Sequence, residues 1–255
     1  MKSSLKFTVV IPARYNSSRF PGKPLADLAG KPMVQHVYER AIKSGATNIV
    51  IATDDERIRV AAQKFGAKVC MTSDQHQSGS DRLAEVIEIL KCADDEIVVN
   101  LQGDEPLMPP ELVAQVAHDL AKRAQADIAT VCEPLTSAQK LFDPNLAKVV
   151  RDDKGYALYF SRSPIPYDRK KFPLTDHDQS LVKDIYYRHI GIYAGRACFW
   201  RKYVAWGPCQ LENLESLEQL RVLWRGGKIF VGISQQASFM EVNTPEDLAR
   251  VKTML

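Results

Sequence analysis

Three cationic side chains cluster in the loop that follows the first apolar run of the chain. The run from Phe7 to Ile11 is short and β-branched, which predicts a buried parallel strand. Arg14, Arg19 and Lys23 come directly after it. Open parallel sheets bind ligands beyond the carboxyl ends of their strands, and Arg and Lys neutralise phosphate oxygens. The loop is therefore interpreted as a site for a nucleoside triphosphate; the alternative is a solvated surface loop.

Glycine and proline shape the same loop. Gly22 lets the backbone come close to a ligand, and Pro21 and Pro24 stiffen the chain around it. The sequence contains neither the phosphate-binding pattern G-x-x-x-x-G-K-[ST] nor the dinucleotide fingerprint G-x-G-x-x-G. This argues against a P-loop kinase, an ATPase and a dehydrogenase.

A carboxylate follows another predicted strand, at 96–101. Gly103 leaves space there, and Asp104 places its side chain at the strand's carboxyl end. Mg²⁺ is usually bound by one or two carboxylates together with substrate oxygens. Because Asp104 is expected to lie beside the cationic loop, we favour a metal ligand as its role. The alternative is a turn aspartate that caps the next helix.

Apolar runs alternate with helical patterns in the first half of the chain. Further strands are predicted at 48–53 and 68–71, with one helix opened by Pro32 and another capped by Ser80. This alternation predicts an α/β fold, a Rossmann-like, mostly parallel or mixed sheet flanked by helices.

The second half begins with strands that have no helix between them. They are predicted at 147–150, 156–162 and 187–194. This pattern indicates a small antiparallel insertion or subdomain over about 147–205, for which an oligomer interface is one use. The stretch 163–184 is rich in Pro, Lys and Asp, which is typical of a functional or mobile loop.

The chain then returns to an α/β pattern. A helix is predicted at 214–224, a strand at 228–233 and a final helix from Pro245. Glu218 and Gln219 fall on the first of these helices, where a solvated face is the default interpretation. The segment from His76 to Arg82 either caps a helix or binds an anion or base edge.

Composition excludes several classes of protein. With 34 Lys and Arg against 31 Asp and Glu, a net charge of +3 is too balanced to indicate a nucleic-acid binder. The five cysteines are widely spaced with no C-x-x-C pair, which predicts free thiols in a reducing compartment. The amino-terminal apolar run is too short for a signal peptide or a membrane span. We therefore expect a soluble cytoplasmic protein without membrane insertion, in one or two domains.

An ordered set of motifs spans nearly the whole chain. Its members are Ile11–Arg14, Pro21–Leu25, Ala52–Asp54, His76–Gly79, Gln102–Pro106, Ala157–Arg162, Arg188–Tyr193, Leu217–Arg221 and Thr244–Leu248. Together they resemble the 3-deoxy-manno-octulosonate (KDO) cytidylyltransferase family. The resemblance implies a single nucleotidyltransferase-like domain over 1–255, in which residues from about 147 to 205 form a smaller subdomain for sugar binding and dimerisation. It also implies a homodimer, Mg²⁺, and transfer of CMP from CTP to KDO for lipopolysaccharide synthesis.

The resemblance also implies roles for individual residues. Those implied for CTP are Ala13, Arg14, Arg19, Lys23, Ser78, Gly79 and Arg82. Those implied for KDO are Gln102, Arg162, His189, Tyr193, Glu218 and Gln219. Arg19, Lys23 and Asp104 are implied as catalytic, with Asp104 on the metal. For His189, which otherwise fits a packed strand histidine, and for Glu218, only the resemblance supports a functional role.

One segment departs from the family pattern. The family's late motif is Gly-Val-Asp-Thr, whose Asp is implied as a second metal ligand, but this chain has Glu241, Val242, Asn243 and Thr244. A neutral carbonyl binds Mg²⁺ less well than a carboxylate does. In a strand, Glu241 would share a face with Asn243 but lie about two strand rises away. The second metal ligand is therefore left open between these two residues.

Three alternative functions also stay open. One is a cytidylyltransferase for 8-amino-KDO, and another is a sugar-nucleotide pyrophosphorylase that uses UTP, GTP or TTP. The third is a nucleotide-binding regulatory module that has lost catalysis, which the change at Asn243 supports.

Overall fold

The computed structural model describes residues 5–16, 19–76, 78–172, 181, 184–236 and 240–255. The strands are β1 (Thr8–Pro12), β2 (Asp27–Leu28), β3 (Lys31–Pro32), β4 (Asn48–Thr53), β5 (Lys68–Met71), β6 (Ile97–Asn100), β7 (Ile128–Pro134), β8 (Lys148–Arg151), β9 (Ala157–Ser161), β10 (Tyr187–Arg196) and β11 (Ile229–Ile233). The helices are α1 (Met33–Lys43), α2 (Glu56–Lys64), α3 (Gly79–Ile89), α4 (Pro110–Ala121), α5 (Ala138–Phe142), α6 (Ala197–Trp206), α7 (Gln210–Glu215), α8 (Leu220–Trp224) and α9 (Pro245–Lys252). A 3-10 turn covers Lys23–Leu25.

The main sheet is mixed, with strand order β11-β7-β10-β6-β1-β4-β5. β10 is antiparallel to both of its neighbours, β6 and β7, and the other neighbouring pairs along this path are parallel. β8 and β9 form an antiparallel pair that extends from one end of β10. The predicted fold class, a mostly parallel or mixed sheet with a small antiparallel insertion, is confirmed. A separate subdomain over 147–205 stays a prediction.

The core explains why the first strand is apolar along its whole length. Val9 and Ile11 belong to one hydrophobic layer, which includes residues of α1, α2 and α4. Val10, between them, points to the opposite layer, which includes residues of α3 and α6. A parallel strand covered by helices on both faces has no solvent side, so every position is buried.

The cap of helix α3 lies two residues earlier in the chain than predicted. The side chain of Ser78, and not of Ser80, accepts a hydrogen bond from the Asp81 amide at 3.1 Å, and the Asp81 carboxylate accepts one from the Ser78 amide at 3.0 Å. This reciprocal capping box satisfies two otherwise free amides. Ser80 is thereby released, and its hydroxyl donates to Glu218 Oε2 at 3.0 Å.

The single helix predicted over 214–224 is wrong, because the chain forms α7 and α8 with a break between them. Ser216 adopts a left-handed backbone conformation with φ of 51°, which ends α7. Glu218 and Gln219 lie in the connecting turn and not on a solvated helix face. A left-handed residue is usually Gly or Asn, so the sequence carries no signal for this break.

Gly103 allows the chain after β6 to cross the end of β1. A Cβ atom at this position would lie 2.6 Å from the backbone oxygen of Pro12, closer than any side chain can approach. The crossing delivers Asp104 to the edge of the sheet that the loop after β1 also reaches. Among the described residues, none of the helices is long and apolar enough to cross a membrane. The predicted loop 163–184 includes residues 173–180, 182 and 183, which lie outside the described residues.

Candidate active site

Two cavities adjoin at the carboxyl ends of β1 and β6. The first, about 340 Å³, is lined by Pro12, Ala13, Arg14, Asn16, Arg19, Lys23, Pro24, Gly79, Gln102, Gly103 and Asp104. The second, about 700 Å³, includes Arg162, Arg188, His189, Tyr193, Glu218, Gln219, Glu241 and Asn243 in its wall. Gly79 and Gln102 belong to both walls. The residues assigned to CTP and those assigned to KDO thus largely separate into two adjoining spaces.

The cations of the first cavity contact the two segments that carry the candidate metal ligands. Lys23 Nζ donates to Asp104 Oδ2 at 2.7 Å and to the backbone oxygen of Val242 at 3.0 Å. Arg19 donates to Asn243 Oδ1 at 3.0 Å. Asp104 therefore pairs with a cation across the cavity, and the alternative in which it caps the next helix is wrong, since Pro109 occupies the cap position of α4.

Contacts of Tyr15 and Gly22 stabilise the described part of the cationic loop. Gly22 has φ of 72°, and its amide donates to the Tyr15 backbone oxygen at 2.8 Å. The guanidinium of Arg57 lies 3.3 Å from the centroid of the Tyr15 ring. Asp55, the cap of α2, accepts hydrogen bonds from Arg57. These contacts hold Tyr15 and Gly22 in place before any ligand arrives, which lowers the entropy cost of binding.

Arg14 and Arg82 have different surroundings, although both are assigned to CTP. One terminal nitrogen of Arg14 is buried without a hydrogen-bond partner among the described residues. Burial, and then the neighbouring Arg82, lower the pKa of Arg14. Arg82 is fully buried, donates to Asp54 Oδ2 at 2.6 Å and to the Thr72 hydroxyl, and is absent from the lining of the first cavity. Its role in placing cytidine stays a prediction, as does that of Ser78, whose hydroxyl caps α3.

Arg162 carries an available positive charge in the second cavity. Its Nε donates to the Glu215 backbone oxygen at 2.6 Å, and its terminal nitrogens donate to the backbone oxygens of Pro144 at 2.9 Å and Ser216 at 3.3 Å. The Glu215 carboxylate is used elsewhere, by Ser161 and the Arg162 amide. Within the described ranges, the Arg162 guanidinium forms no salt bridge, so it can pair with an anionic ligand.

The other residues assigned to KDO form a buried polar wall. His189 is 8% exposed, and burial, followed by the charge of Arg188, lowers its pKa to about 3. Tyr193 Oη donates to Gln219 Oε1 at 3.0 Å. Burial raises the pKa of Glu218, whose carboxylate accepts from Ser80. The interpretation of Glu218 and Gln219 as a solvated face is wrong, since Gln219 is buried and Glu218 is largely withdrawn from solvent.

Arg188 and Glu241 were not singled out as ligands of the second cavity. Arg188 donates to Glu133 Oε1 at 3.1 Å and to Glu241 Oε1 at 3.5 Å. The Glu241 side chain remains 39% exposed. Arg188 lies within a family motif, but a strand residue next to His189 is expected to face away from it. Alternation along the strand therefore does not predict that both residues line one wall.

The segment around Asn243 is not a strand, so the expected separation of two strand rises is wrong. Asn243 Nδ2 donates to Glu241 Oε2 at 3.3 Å, which places the two side chains in contact. Asp247, in the first turn of α9, accepts hydrogen bonds from the amides of Asn243 and Thr244 at 3.0 and 2.9 Å. The family motif would place a carboxylate at position 243. In this chain, the carboxylate of Glu241 lies next to that position.

The donor set near Asp104 fits a hard cation that takes its remaining ligands from phosphate and water. The described residues contain no group of three or more His, Cys, Asp or Glu arranged to hold a metal ion. Asp104 offers a carboxylate, and Asn243 offers a carbonyl oxygen. Beside them Glu105 is buried, and its Oε2 atom has no hydrogen-bond partner among the described residues. Mg²⁺ needs few protein ligands of this kind when a substrate supplies the rest.

Burial of neutral His189 predicts a pH-dependent contribution to stability. The pKa falls from about 6.5 in the unfolded chain to about 3 in the folded chain, so only the unfolded chain gains this proton as the pH drops below about 6.5. The stabilisation is complete above that pH and is lost as the pH falls toward 3. Between pH 7.5 and 5.0, the wild type should lose about 2 kcal/mol of unfolding free energy more than His189→Gln does.

Urea unfolding of both proteins at the two pH values measures this difference. Equal losses in the wild type and in His189→Gln would contradict the burial of a neutral imidazole at this position.

A family model described as cytidylyltransferase matches residues 8–229. The chain is 56% identical over 250 residues to a 3-deoxy-manno-octulosonate cytidylyltransferase of Idiomarina loihiensis, covering 98% of both proteins. It is 55% identical over 252 residues to the protein of that name from Haemophilus influenzae, covering 98% of this chain and 99% of the relative.

A solved structure of a CMP:2-keto-3-deoxy-manno-octonic acid synthetase complexed with CTP is 42% identical. It superposes with a TM-score of 0.88 and covers 98% of both chains. Likeness of this extent in sequence and in structure places the chain in the cytidylyltransferase family, as a member of its 3-deoxy-manno-octulosonate cytidylyltransferase group.

Proposed function

We propose that the chain transfers CMP from CTP to KDO and releases pyrophosphate. The observation that carries this proposal is the pair of adjoining cavities with a shared wall at Gly79 and Gln102. One is lined by three cations for a triphosphate, and the other holds the guanidinium of Arg162 for a carboxylate. Such an arrangement suits a nucleotide and a sugar acid that must react with each other, and family membership supports the same substrates.

The reaction joins two anions, which determines what the protein must supply. The anomeric hydroxyl oxygen of KDO forms a bond to the α-phosphorus of CTP, and the bond from that phosphorus to the bridging oxygen breaks. The hydroxyl proton is lost, and pyrophosphate leaves with the bonding electrons. Since no covalent enzyme intermediate is needed, positioning and charge neutralisation account for most of the catalysis.

The residues divide this work by location. Arg14, Arg19 and Lys23 bind the triphosphate, and Arg19 and Lys23 stabilise the charge that develops on the leaving pyrophosphate. Lys23 has to exchange its hydrogen bond with Asp104 for phosphate oxygens. Arg162 binds the KDO carboxylate and holds the sugar at the wall shared with Gln102.

Mg²⁺ is part of the proposal, with Asp104 as its carboxylate ligand. The second protein ligand is the Asn243 carbonyl or the Glu241 carboxylate, whose side chains are in contact. When bound, the ion polarises the α-phosphate and lowers the pKa of the attacking hydroxyl. The product serves lipopolysaccharide synthesis, and we propose a cytoplasmic homodimer on the basis of the resemblance.

Pyrophosphate release from CTP, in the presence of Mg²⁺ and KDO, tests the proposal directly. Release should require both substrates, and UTP, GTP and TTP should not replace CTP. Replacing KDO by 8-amino-KDO compares the two sugar acids. A protein that binds CTP but releases no pyrophosphate with either sugar is a regulatory module, and the proposal is then wrong.

Replacing Arg19 by alanine should lower turnover by at least about 100-fold. Removing a charged donor that faces the transition state costs about 2.7–4 kcal/mol, by analogy with deletions of oxyanion-hole donors. Arg59→Ala on α2 is a matched control, since Arg59 pairs with Glu56 and lies outside the lining of both cavities. Turnover of Arg19→Ala within a few-fold of the wild type would remove Arg19 from this role.

Two substitutions distinguish the candidate second metal ligands. Asn243→Asp adds a carboxylate and should lower the Mg²⁺ concentration needed for half-maximal rate. Glu241→Gln should raise that concentration if Glu241 compensates for the missing carboxylate. Thermal stability titrated with Mn²⁺ in the presence of CTP gives a second readout, independent of turnover. An unchanged or higher Mg²⁺ requirement in Asn243→Asp would show that residue 243 does not contact the metal.

A further inference from the structure

A bulge in β10 leaves backbone oxygens beside a single residue of β7. The antiparallel pairing runs from His189 opposite Cys132 to Ile190 opposite Val131, and resumes with Ala194 opposite Ala129. Three residues of β10, 191–193, therefore oppose Thr130 alone. A bulge of this kind interrupts the hydrogen-bond ladder and re-aims side chains, and here Gly191 and Tyr193 line the second cavity.

The Thr130 hydroxyl occupies the interrupted part of the ladder. Its Oγ1 atom lies 2.7 Å from the backbone oxygen of Ile192, 3.1 Å from that of Ile190 and 2.9 Å from His189 Nε2. Backbone oxygens only accept hydrogen bonds, and a hydroxyl has one proton to donate. A proton donated to Nε2 instead would leave the Thr130 oxygen facing two carbonyl oxygens, at 2.7 and 3.1 Å, with no proton between them. We therefore assign the proton to a backbone oxygen, so the Thr130 oxygen accepts from His189 and Nε2 carries the imidazole proton.

The direction of the remaining hydrogen bonds follows from this one. A neutral imidazole has one N–H, so Nδ1 of His189 is an acceptor. Gln219 Nε2 faces Nδ1 at 3.5 Å, which leaves Gln219 Oε1 to accept from the Tyr193 hydroxyl at 3.0 Å. A separation of 3.5 Å is at the outer limit for a hydrogen bond, so the lone pair of Nδ1 is only weakly used within the protein.

We propose that Thr130 is a positioning residue, which holds His189 as the Nε2–H tautomer and makes Nδ1 a hydrogen-bond acceptor in the second cavity. The sugar-acid group that meets His189 is then a hydroxyl, which donates, and not the carboxylate, which only accepts. Arg162, with its charge free, binds the carboxylate elsewhere in the wall. The identity of the substrate rests on the proposed function, whereas the tautomer does not.

Nitrogen NMR of the ligand-free protein reads the tautomer directly. In ¹⁵N-labelled wild type, the His189 signals, assigned by their loss in His189→Gln, should show a protonated Nε2 and an unprotonated Nδ1. Thr130→Ser keeps the hydroxyl and should keep this pattern. Thr130→Val keeps the shape but removes the hydroxyl, and should shift the signals toward the Nδ1–H tautomer.

Steady-state kinetics provide the functional readout. Thr130→Val should raise KM for KDO by about tenfold, the effect of one misdirected buried hydrogen bond, and leave KM for CTP within twofold. Thr130→Ser should stay close to the wild type in both. A purely structural role for Thr130 would instead lower the active fraction without separating the two KM values.

Several results would overturn the proposal. These are a protonated Nδ1 in the wild type, or a Thr130→Val protein with an unchanged tautomer or an unchanged KM for KDO. If Thr130→Val fails to fold, the wild-type and Thr130→Ser spectra still decide the tautomer. If the wild type transfers no cytidylyl group to KDO, the proposed function fails, and the spectra still decide the tautomer.

Discussion

A single ion pair joins the parts of the chain that the proposed chemistry needs. Lys23 Nζ and Asp104 Oδ2 are 2.7 Å apart, with side chains 12% and 30% exposed. Lys23 also donates to the backbone oxygen of Val242, whose amide donates to the Asp104 backbone oxygen at 3.0 Å. The loop after β1, the turn after β6 and the segment before α9 therefore meet at one point. Removing the charge of Lys23 or of Asp104 would leave the other charge poorly solvated. A ligand that separates the two side chains therefore has to supply each of them with a new partner.

The two cavities differ in how their cations are balanced. Lys23 and Arg188 are paired with carboxylates. Arg162 is held by backbone oxygens, and one Arg14 nitrogen is buried without a partner among the described residues. Charges held in place but not neutralised are suited to bind an anion without prior rearrangement. Each cavity thus has at least one cation that is ready to bind, and a further cation, Lys23 or Arg188, that has to exchange its carboxylate partner.

The sequence predicted the features that depend on local patterns. The β-branched run before Arg14 and the run before Gly103 are strands because each is apolar over its length, and the two loops meet because parallel strands end at one edge. Features that depend on distant contacts were not predictable. Ser216 breaks a helix through a left-handed backbone without glycine, and Thr130 acquires its partners only because a bulge forms in β10. Glu241 and Asn243 touch because their segment is irregular, which alternation cannot indicate.

The proposed chemistry requires Lys23 and Asp104 to separate, so that Lys23 binds the nucleotide and Asp104 binds its cation. A crystal structure with CTP and Mg²⁺ measures this directly. In that structure, we expect Lys23 Nζ to contact phosphate oxygens and the Asp104 carboxylate to bind the metal. A triphosphate bound elsewhere, with the Lys23–Asp104 pair still closed and touching neither phosphate nor metal, would contradict it.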